Sequence, residues 1–145
     1  MSRNILTICL GNHCRSPMAE GILAHLARQQ SRDWNVRSAG ITGLVSVPAH
    51  AHAVTAMREV GIDIHGYLGD QLSATMIEAS DHVLVMEPWH ATKVTDLVPS
   101  AGDKVVLLDE DSVPDPMGHD LEMFRAVRDQ LLMRIEAWAA SLPDA

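Results

Sequence analysis

The chain has 145 residues, 47% of them hydrophobic and 21% charged, with a formal net charge of −8 at pH 7. That length fits one domain over residues 1–145, and such a domain buries about 68–70% of the surface its unfolded chain exposes, so no disulfide or structural metal is needed for a core. The acidic balance disfavours nucleic acid and anionic membrane as partners; no apolar run approaches the roughly 20 residues that span a bilayer; and the short apolar stretch after Arg3 makes no secretory signal, so a cytoplasmic protein without membrane insertion is expected.

Residues 4–10 (Asn-Ile-Leu-Thr-Ile-Cys-Leu) predict a buried strand, broken by Gly11-Asn12. Pro17 suits the first turn of a helix, where its missing N–H costs little. Ala19, Ile22, Leu23, Leu26 and Ala27 give that helix an apolar face. Trp34 to Ser38 predicts a second strand, closed by Ala39-Gly40, and residues 41–48 a loop. Ala49 to Val60 has a helical pattern stopped by Gly61. Residues 62–71 are irregular, and Ser73 caps a short helix over 74–78. His82 to Met86 is a third strand, Pro88 to Val98 a helix ended by Pro99, and Lys104 to Leu108 a fourth strand. After a polar loop over 109–119 comes a long amphipathic helix, Asp120 to Leu142, with Leu121, Phe124, Val127, Leu131, Ile135 and Trp138 on its apolar side.

Strands alternating with helices predict an α/β fold: a single three-layer domain with a four-stranded parallel sheet flanked by helices. Ligands of such sheets bind beyond the carboxyl ends of the strands. The segment Cys9-Leu10-Gly11-Asn12-His13-Cys14-Arg15-Ser16 lies there, between the first strand and the first helix.

Its residue types point to phosphate chemistry. Backbone N–H groups ahead of a helix have no helical partners. Gly11, and Asn12 with its tolerance for left-handed geometry, let the chain curl so that these amides converge. The helix N-terminus adds about half a positive charge, which makes an anion cradle of the amides of Leu10, Gly11, Asn12, His13, Cys14 and Arg15. The planar guanidinium of Arg15 can hold two oxygens of one phosphoryl group. Cys9, at the strand end, faces this field, which favours a thiolate nucleophile. The two cysteines, Cys9 and Cys14, both lie in the loop, which speaks for reactive thiol chemistry rather than a disulfide framework. No Gly-Lys-Ser/Thr follows, which excludes a P-loop nucleotide hydrolase.

Cys9 to Glu20 (Cys-Leu-Gly-Asn-His-Cys-Arg-Ser-Pro-Met-Ala-Glu) resembles the signature of the low-molecular-weight protein tyrosine phosphatases. Ser38-Ala39-Gly40 and Val113-Pro114-Asp115-Pro116 match two further motifs, and the resemblance covers essentially the whole chain. It implies cysteine-dependent hydrolysis of protein phosphotyrosine through a phosphocysteine, with no metal and no cofactor. On this resemblance Cys9 is the nucleophile, Arg15 the oxyanion clamp and Asp115 the general acid and later base. Ser16 assists the sulfur, and Asn12 shapes the loop with Ser38 as its candidate partner. Cys14 is either a small loop residue supplying an amide or, as the resemblance implies, a redox partner that forms a disulfide with Cys9.

The chain departs from many family members at the substrate wall. Leu44 stands where an aromatic residue is common, and Asp115-Pro116-Met117-Gly118 replaces Asp-Pro-Tyr-Tyr. Leu44, Met117 and His13 are the expected wall residues; His13 is directed toward the rim, where it either tunes substrate choice or is exposed loop decoration. Leu44 resembles the bacterial branch that acts on tyrosine autokinases of capsule and exopolysaccharide export, which makes such a kinase the expected partner. Two rivals are an arsenate reductase of the same fold and a non-catalytic phosphotyrosine-binding module. The thioredoxin-linked form of the first needs relay cysteines that this chain lacks outside the loop, which leaves a form resolved through Cys14 or an external thiol, and the second would dispense with Cys9 or Asp115. His50-Ala51-His52 has a spacing that turns its rings to different helix faces, so no metal site is expected. Asp109, Asp111 and Asp120 are expected in solvated loops, and Trp89 and Trp138 as packing residues.

Overall fold

Four strands, β1 (Arg3–Cys9), β2 (Trp34–Gly40), β3 (His82–Val85) and β4 (Val105–Leu107), pair in parallel in the order β2-β1-β3-β4. The computed structural model describes residues 2–143; Met1, Asp144 and Ala145, at the ends of the expected domain, lie outside them. Five α-helices connect and cover the strands: α1 (Arg15–Gln29), α2 (Ala51–Arg58), α3 (Ala74–Glu78), α4 (Pro88–Leu97) and α5 (Leu121–Ala140). The chain leaves β1 toward β2 on one side and returns to β3 on the other, so strand order reverses at β1. That reversal opens a crevice at the carboxyl end of β1, the usual ligand site of open α/β sheets.

Side chains alternate across the sheet, and β1 shows it directly. Ile5 and Cys9 belong to the core under α1, α2 and α5, with Met18, Ile22, Leu23, Phe124, Leu131 and Ile135. Leu6 and Ile8 belong to the opposite core, with Val83, Val85, Ile77 and Val94 against α3 and α4. The parity that buries Ile5 therefore delivers Cys9 to the α1 side. Thr7 shares that face and donates from Oγ1 to the Ser16 carbonyl at 2.9 Å, fastening the first turn of α1 to the strand.

Several boundaries differ from expectation. β2 runs on to Gly40, because Ala39 and Gly40 still pair with Ile8 and Cys9. α2 is shorter at both ends: His50 caps it by accepting from the His52 N–H, and the chain turns at Gly61, where φ is +81°. Pro99–Lys104 forms a 3-10 helix, which leaves β4 only three residues. Trp89 is exposed on α4 rather than packed. Trp138 is half-buried against Trp34, with ring centroids 6.2 Å apart.

Candidate active site

The loop after β1 turns its carbonyls outward. Those of Cys9, Leu10, Gly11 and His13 accept from the N–H groups of Ile41, Thr42, Leu44 and His50 at 2.8–3.0 Å. Asn12 takes the left-handed conformation, φ +53°, that curls the chain between them. With the carbonyls engaged outside, the amides from Leu10 to Arg15 donate to no group among the described residues. They lie in the turn that leads into α1, whose N-cap Cys14 makes no side-chain capping bond. Gly40 permits this curl: a Cβ there would sit 2.7 Å from the Asn12 nitrogen and 2.8 Å from the Leu10 oxygen.

Behind the loop runs a hydrogen-bond chain whose polarity can be assigned. Asn12 Oδ1 accepts from the Asp70 N–H at 2.8 Å, which fixes the amide orientation. Asn12 Nδ2 then donates to both Ser16 Oγ (2.8 Å) and Ser38 Oγ (2.9 Å). Each hydroxyl, accepting from Asn12, turns its own proton away. Ser38 donates to Glu20 Oε1 at 2.5 Å, and Ser16 Oγ lies within hydrogen-bond distance of Cys9 Sγ, at 3.1 Å. Burial pushes the Glu20 carboxyl above its ordinary range, against the pull of the Ser38 bond and Arg37.

Arg15 is buried. Its Nη1 donates to Glu87 Oε2 and to the Val113 carbonyl, both at 2.7 Å, and its Nη2 lies 3.8 Å from Asp115 Oδ2. Glu87 sits at the end of β3 as the N-cap of α4, in a capping box with His90. His90 is buried, and its Nδ1 accepts from the N–H groups of Met86 (3.3 Å) and Glu87 (3.2 Å). Burial, with Arg15 nearby, lowers its pKa to about 4. Glu87, His90 and Glu20 were not among the expected site residues. Asp109 also departs from expectation. It is buried, and it accepts from the Asp111 N–H, Gln130 Nε2 and Arg134 Nε, each at 2.9 Å. These bonds, the Asp111 N–H foremost, hold its carboxyl below the usual range. Gln130 also donates to the Ser112 carbonyl at 2.8 Å, so the loop that carries Asp115 is pinned to α5.

Above Cys9 opens a cavity of about 370 Å³. Its floor is the cradle, and Asp115 is the carboxylate on its lining. Leu10, Leu44 and Met117 make apolar walls, with Thr42 and His13 beside them. The structure thus brings together Cys9, Arg15, Asp115, Leu44 and Met117 around one space. His13 lines this cavity and is half-buried; its ring packs edge-on to His50 with centroids 5.2 Å apart, so it is a built part of the wall and not loose rim decoration. Its Nδ1 is buried without a hydrogen-bond partner. Burial, then His13 and His52, hold His50 below the usual imidazole range. Cys14 is a buried free thiol like Cys9, with Met117 Sδ at 4.0 Å. Burial, reinforced by Cys9 and Asp115, pushes its pKa up to about 12. Among the described residues no group of three His, Cys, Asp or Glu side chains is placed to hold a metal ion, and no helix is long and apolar enough to cross a membrane.

Fold and site together define an α/β protein that can seat a tetrahedral oxyanion against a cysteine. Residues 4–145 match the family model described as low molecular weight phosphotyrosine protein phosphatase. The chain belongs to that family, and it is a phosphatase. It is similar to the low molecular weight protein-tyrosine-phosphatase Etp of Escherichia coli, with 34% identity over 143 residues, 96% of this chain and 94% of Etp. Its fold superposes on Vibrio vulnificus Wzb in complex with benzylphosphonate with a TM-score of 0.90 at 31% identity, covering 97% of this chain and 99% of Wzb. A mutant of the YwlE arginine phosphatase with a phosphorylated active site serine is equally close: TM-score 0.90, 31% identity, 96% of this chain and 95% of YwlE.

Proposed function

We propose that the protein hydrolyses phosphotyrosine in proteins by a two-step, metal-independent mechanism through a phosphocysteine. The observation that carries this is the meeting at one cavity of Cys9, Arg15, Asp115 and the loop residues Leu10, Gly11, His13 and Cys14, whose amides donate to no group among the described residues. Cys9 attacks phosphorus in line, the phosphorus–oxygen bond breaks, and its electron pair leaves with the phenolate. The amides and Arg15 bind the equatorial oxygens, where transition-state charge is spread. Asp115 gives the departing oxygen its proton. Water then attacks the phosphocysteine, Asp115 takes the water's proton, and the electron pair of the broken S–P bond returns to sulfur. Ser16 Oγ, 3.1 Å from Sγ, donates its proton to that sulfur as it leaves as a thiolate and stabilises it.

Two relatives support parts of this reading. A phosphorylated serine in the active site of the YwlE mutant is consistent with phosphoryl transfer to the residue at the cradle's centre. Benzylphosphonate in the Wzb complex carries a phenyl ring one methylene away from a tetrahedral anion, the shape that an apolar slot over a cradle suits. The likeness to an arginine phosphatase favours phosphoarginine as the second substrate reading. The walls at Leu10, Leu44 and Met117 offer a phenyl ring apolar contact on several sides, whereas a guanidinium would find acceptors only toward Asp115, Thr42 and His13.

The test is phosphate release from p-nitrophenyl phosphate and from matched phosphotyrosyl and phosphoarginyl peptides, in EDTA, by wild type and Cys9→Ser. Activity that survives EDTA, vanishes in the variant and favours phosphotyrosine is expected. Full activity in Cys9→Ser overturns the mechanism, and preference for phosphoarginine overturns the substrate. Within the substrate class, we assign a bacterial tyrosine autokinase of polysaccharide export, in a cytoplasmic setting, as the partner. Faster turnover of such a kinase than of unrelated phosphopeptides tests it.

A further inference from the structure

A second groove, of about 510 Å³, adjoins the catalytic cavity and shares Leu10 and Thr42 with it. One wall is the outer face of α4. Trp89, Lys93 and Leu97 follow there at i, i+4, i+8 spacing and stand in one row. The facing wall is Ile41 and Thr42. Gln71 holds that wall in shape, donating from Nε2 to the Ile41 carbonyl at 2.9 Å and accepting the Gly43 N–H at Oε1. The groove is therefore preformed on this side.

Its lining carries large apolar side chains where a helix surface is ordinarily polar. Trp89 is 41% exposed, Leu97 48% and Leu10 38%. Lys93 and Asp96 bring one charge of each sign, so the groove has no net charge with which to select a partner. Exposed apolar side chains beside a ligand cavity, with an aromatic one among them, offer a partner the usual kind of anchor.

We propose that this groove binds the stretch of the phosphoprotein next to the phosphorylated residue, and selects an apolar side chain there. The inference rests on the reading of the cavity as a phosphotyrosyl site. Continuity identifies the occupant: a polypeptide whose phosphorylated side chain fills the cavity has its backbone at the mouth, beside Leu10 and Thr42, which line both spaces. An extended chain advances about 3.3 Å per residue, so a side chain within about three positions passes these two residues and meets Trp89.

The test uses phosphotyrosyl peptides in a Gly/Ser background with one Leu moved from three positions before the phosphotyrosine to three after it. The readout is the ratio of kcat/KM for each Leu peptide to that of the all-Gly/Ser peptide, taken within the same enzyme, so that a general loss of activity cancels. In wild type one or two neighbouring positions on one side are expected to raise the ratio to about ten, the worth of partly burying one leucine. Trp89→Ala and Leu97→Ser should each return it toward one. A ratio near one at every position in wild type overturns the proposal, as does a raised ratio that both variants keep. Should phosphoarginyl peptides alone be turned over, the phosphotyrosine reading fails by itself, and the same Leu scan on phosphoarginyl peptides still decides the groove.

Discussion

Arg15 is held by Glu87, whose Oε2 lies 2.7 Å from the guanidinium Nη1. The Val113 carbonyl takes the second Nη1 proton, also at 2.7 Å. Nη1 is thereby fully used, and the Nε–Nη2 edge is left as the fork for an oxyanion, with Nε buried and without an acceptor. Glu87 thus sets which edge of Arg15 faces the cradle. Glu87→Ala should lower kcat/KM for p-nitrophenyl phosphate by about 10²-fold, the scale of a misplaced positioning group. It should also weaken competitive inhibition by inorganic phosphate. Glu87→Gln, which can still accept one hydrogen bond, should fall between. Steady-state kinetics with phosphate as inhibitor check this; unchanged inhibition in Glu87→Ala would remove the positioning role.

That relationship also marks what the sequence left unread. The strand-loop-helix course of residues 3–29 is a local matter of apolar runs, Gly11-Asn12 and Ser16-Pro17, and it was legible. So were Asn12 to Ser38 and Cys9 to Ser16, because their motifs were in view together. Glu87 is separated from Arg15 by 72 residues, and nothing in Val-Met-Glu-Pro says which cation its carboxylate will meet. Asp109 lies in a run rich in acids and Gly-like turns, where composition argues for solvent, yet Gln130 and Arg134 on α5 reach back to bury it. Trp89 fails for a different reason. An apolar residue in a ten-residue helix does not declare its face when only His90 and Val94 are buried.

His90 makes the fold acid-sensitive. Its Nδ1 already accepts two backbone N–H groups, so a proton there would oppose both donors and the Arg15 charge. The folded pKa of about 4 lies below the ordinary 6.5, so between those values the unfolded chain binds a proton that the fold refuses. Stability contributed by neutral His90 is complete above pH 6.5 and falls as pH drops toward 4, by up to about 3 kcal/mol. Urea unfolding at pH 7 and pH 4.5 should show a larger loss for wild type than for His90→Asn, by about 2–3 kcal/mol. Equal losses would show that His90 takes its proton in the fold at the ordinary pH.

Cys14, with its pKa pushed up to about 12, is a neutral thiol at pH 7. Native protein treated with iodoacetamide should therefore be modified at Cys9 and spared at Cys14, as read by peptide mass. The two thiols also predict an oxidative course. Peroxide converts Cys9 to a sulfenic acid, and attack by the Cys14 sulfur expels water and forms a disulfide. Wild type should then lose two hydrogens in mass and recover activity with dithiothreitol. Cys14→Ser, which keeps the loop amide, should instead gain oxygens and recover poorly. Equal recovery of the two proteins would leave Cys14 with its amide alone.

Asp115 is exposed, accepts the Met117 N–H at 3.0 Å, and lies on the cavity lining across from the cradle. Its carboxylate is thus aimed by its own loop, which the Val113 N–H ties to the Met86 carbonyl at 2.9 Å and Gln130 ties to α5. A general acid matters most when the leaving oxygen is basic, since a good leaving group departs without a proton. Asp115→Asn should therefore reduce turnover of a phenyl phosphate or phosphotyrosyl peptide by about 10²–10³-fold, and that of p-nitrophenyl phosphate far less. A plot of log kcat/KM against leaving-group pKa should be shallow for wild type and steep for the variant. In the proposed mechanism the same residue also activates water against the phosphocysteine, so the variant should also show a burst of p-nitrophenol followed by a slow steady state. Parallel plots with no burst would mean that the proton comes from elsewhere, and would leave Asp115 only its ionic contact with Arg15 at 3.8 Å.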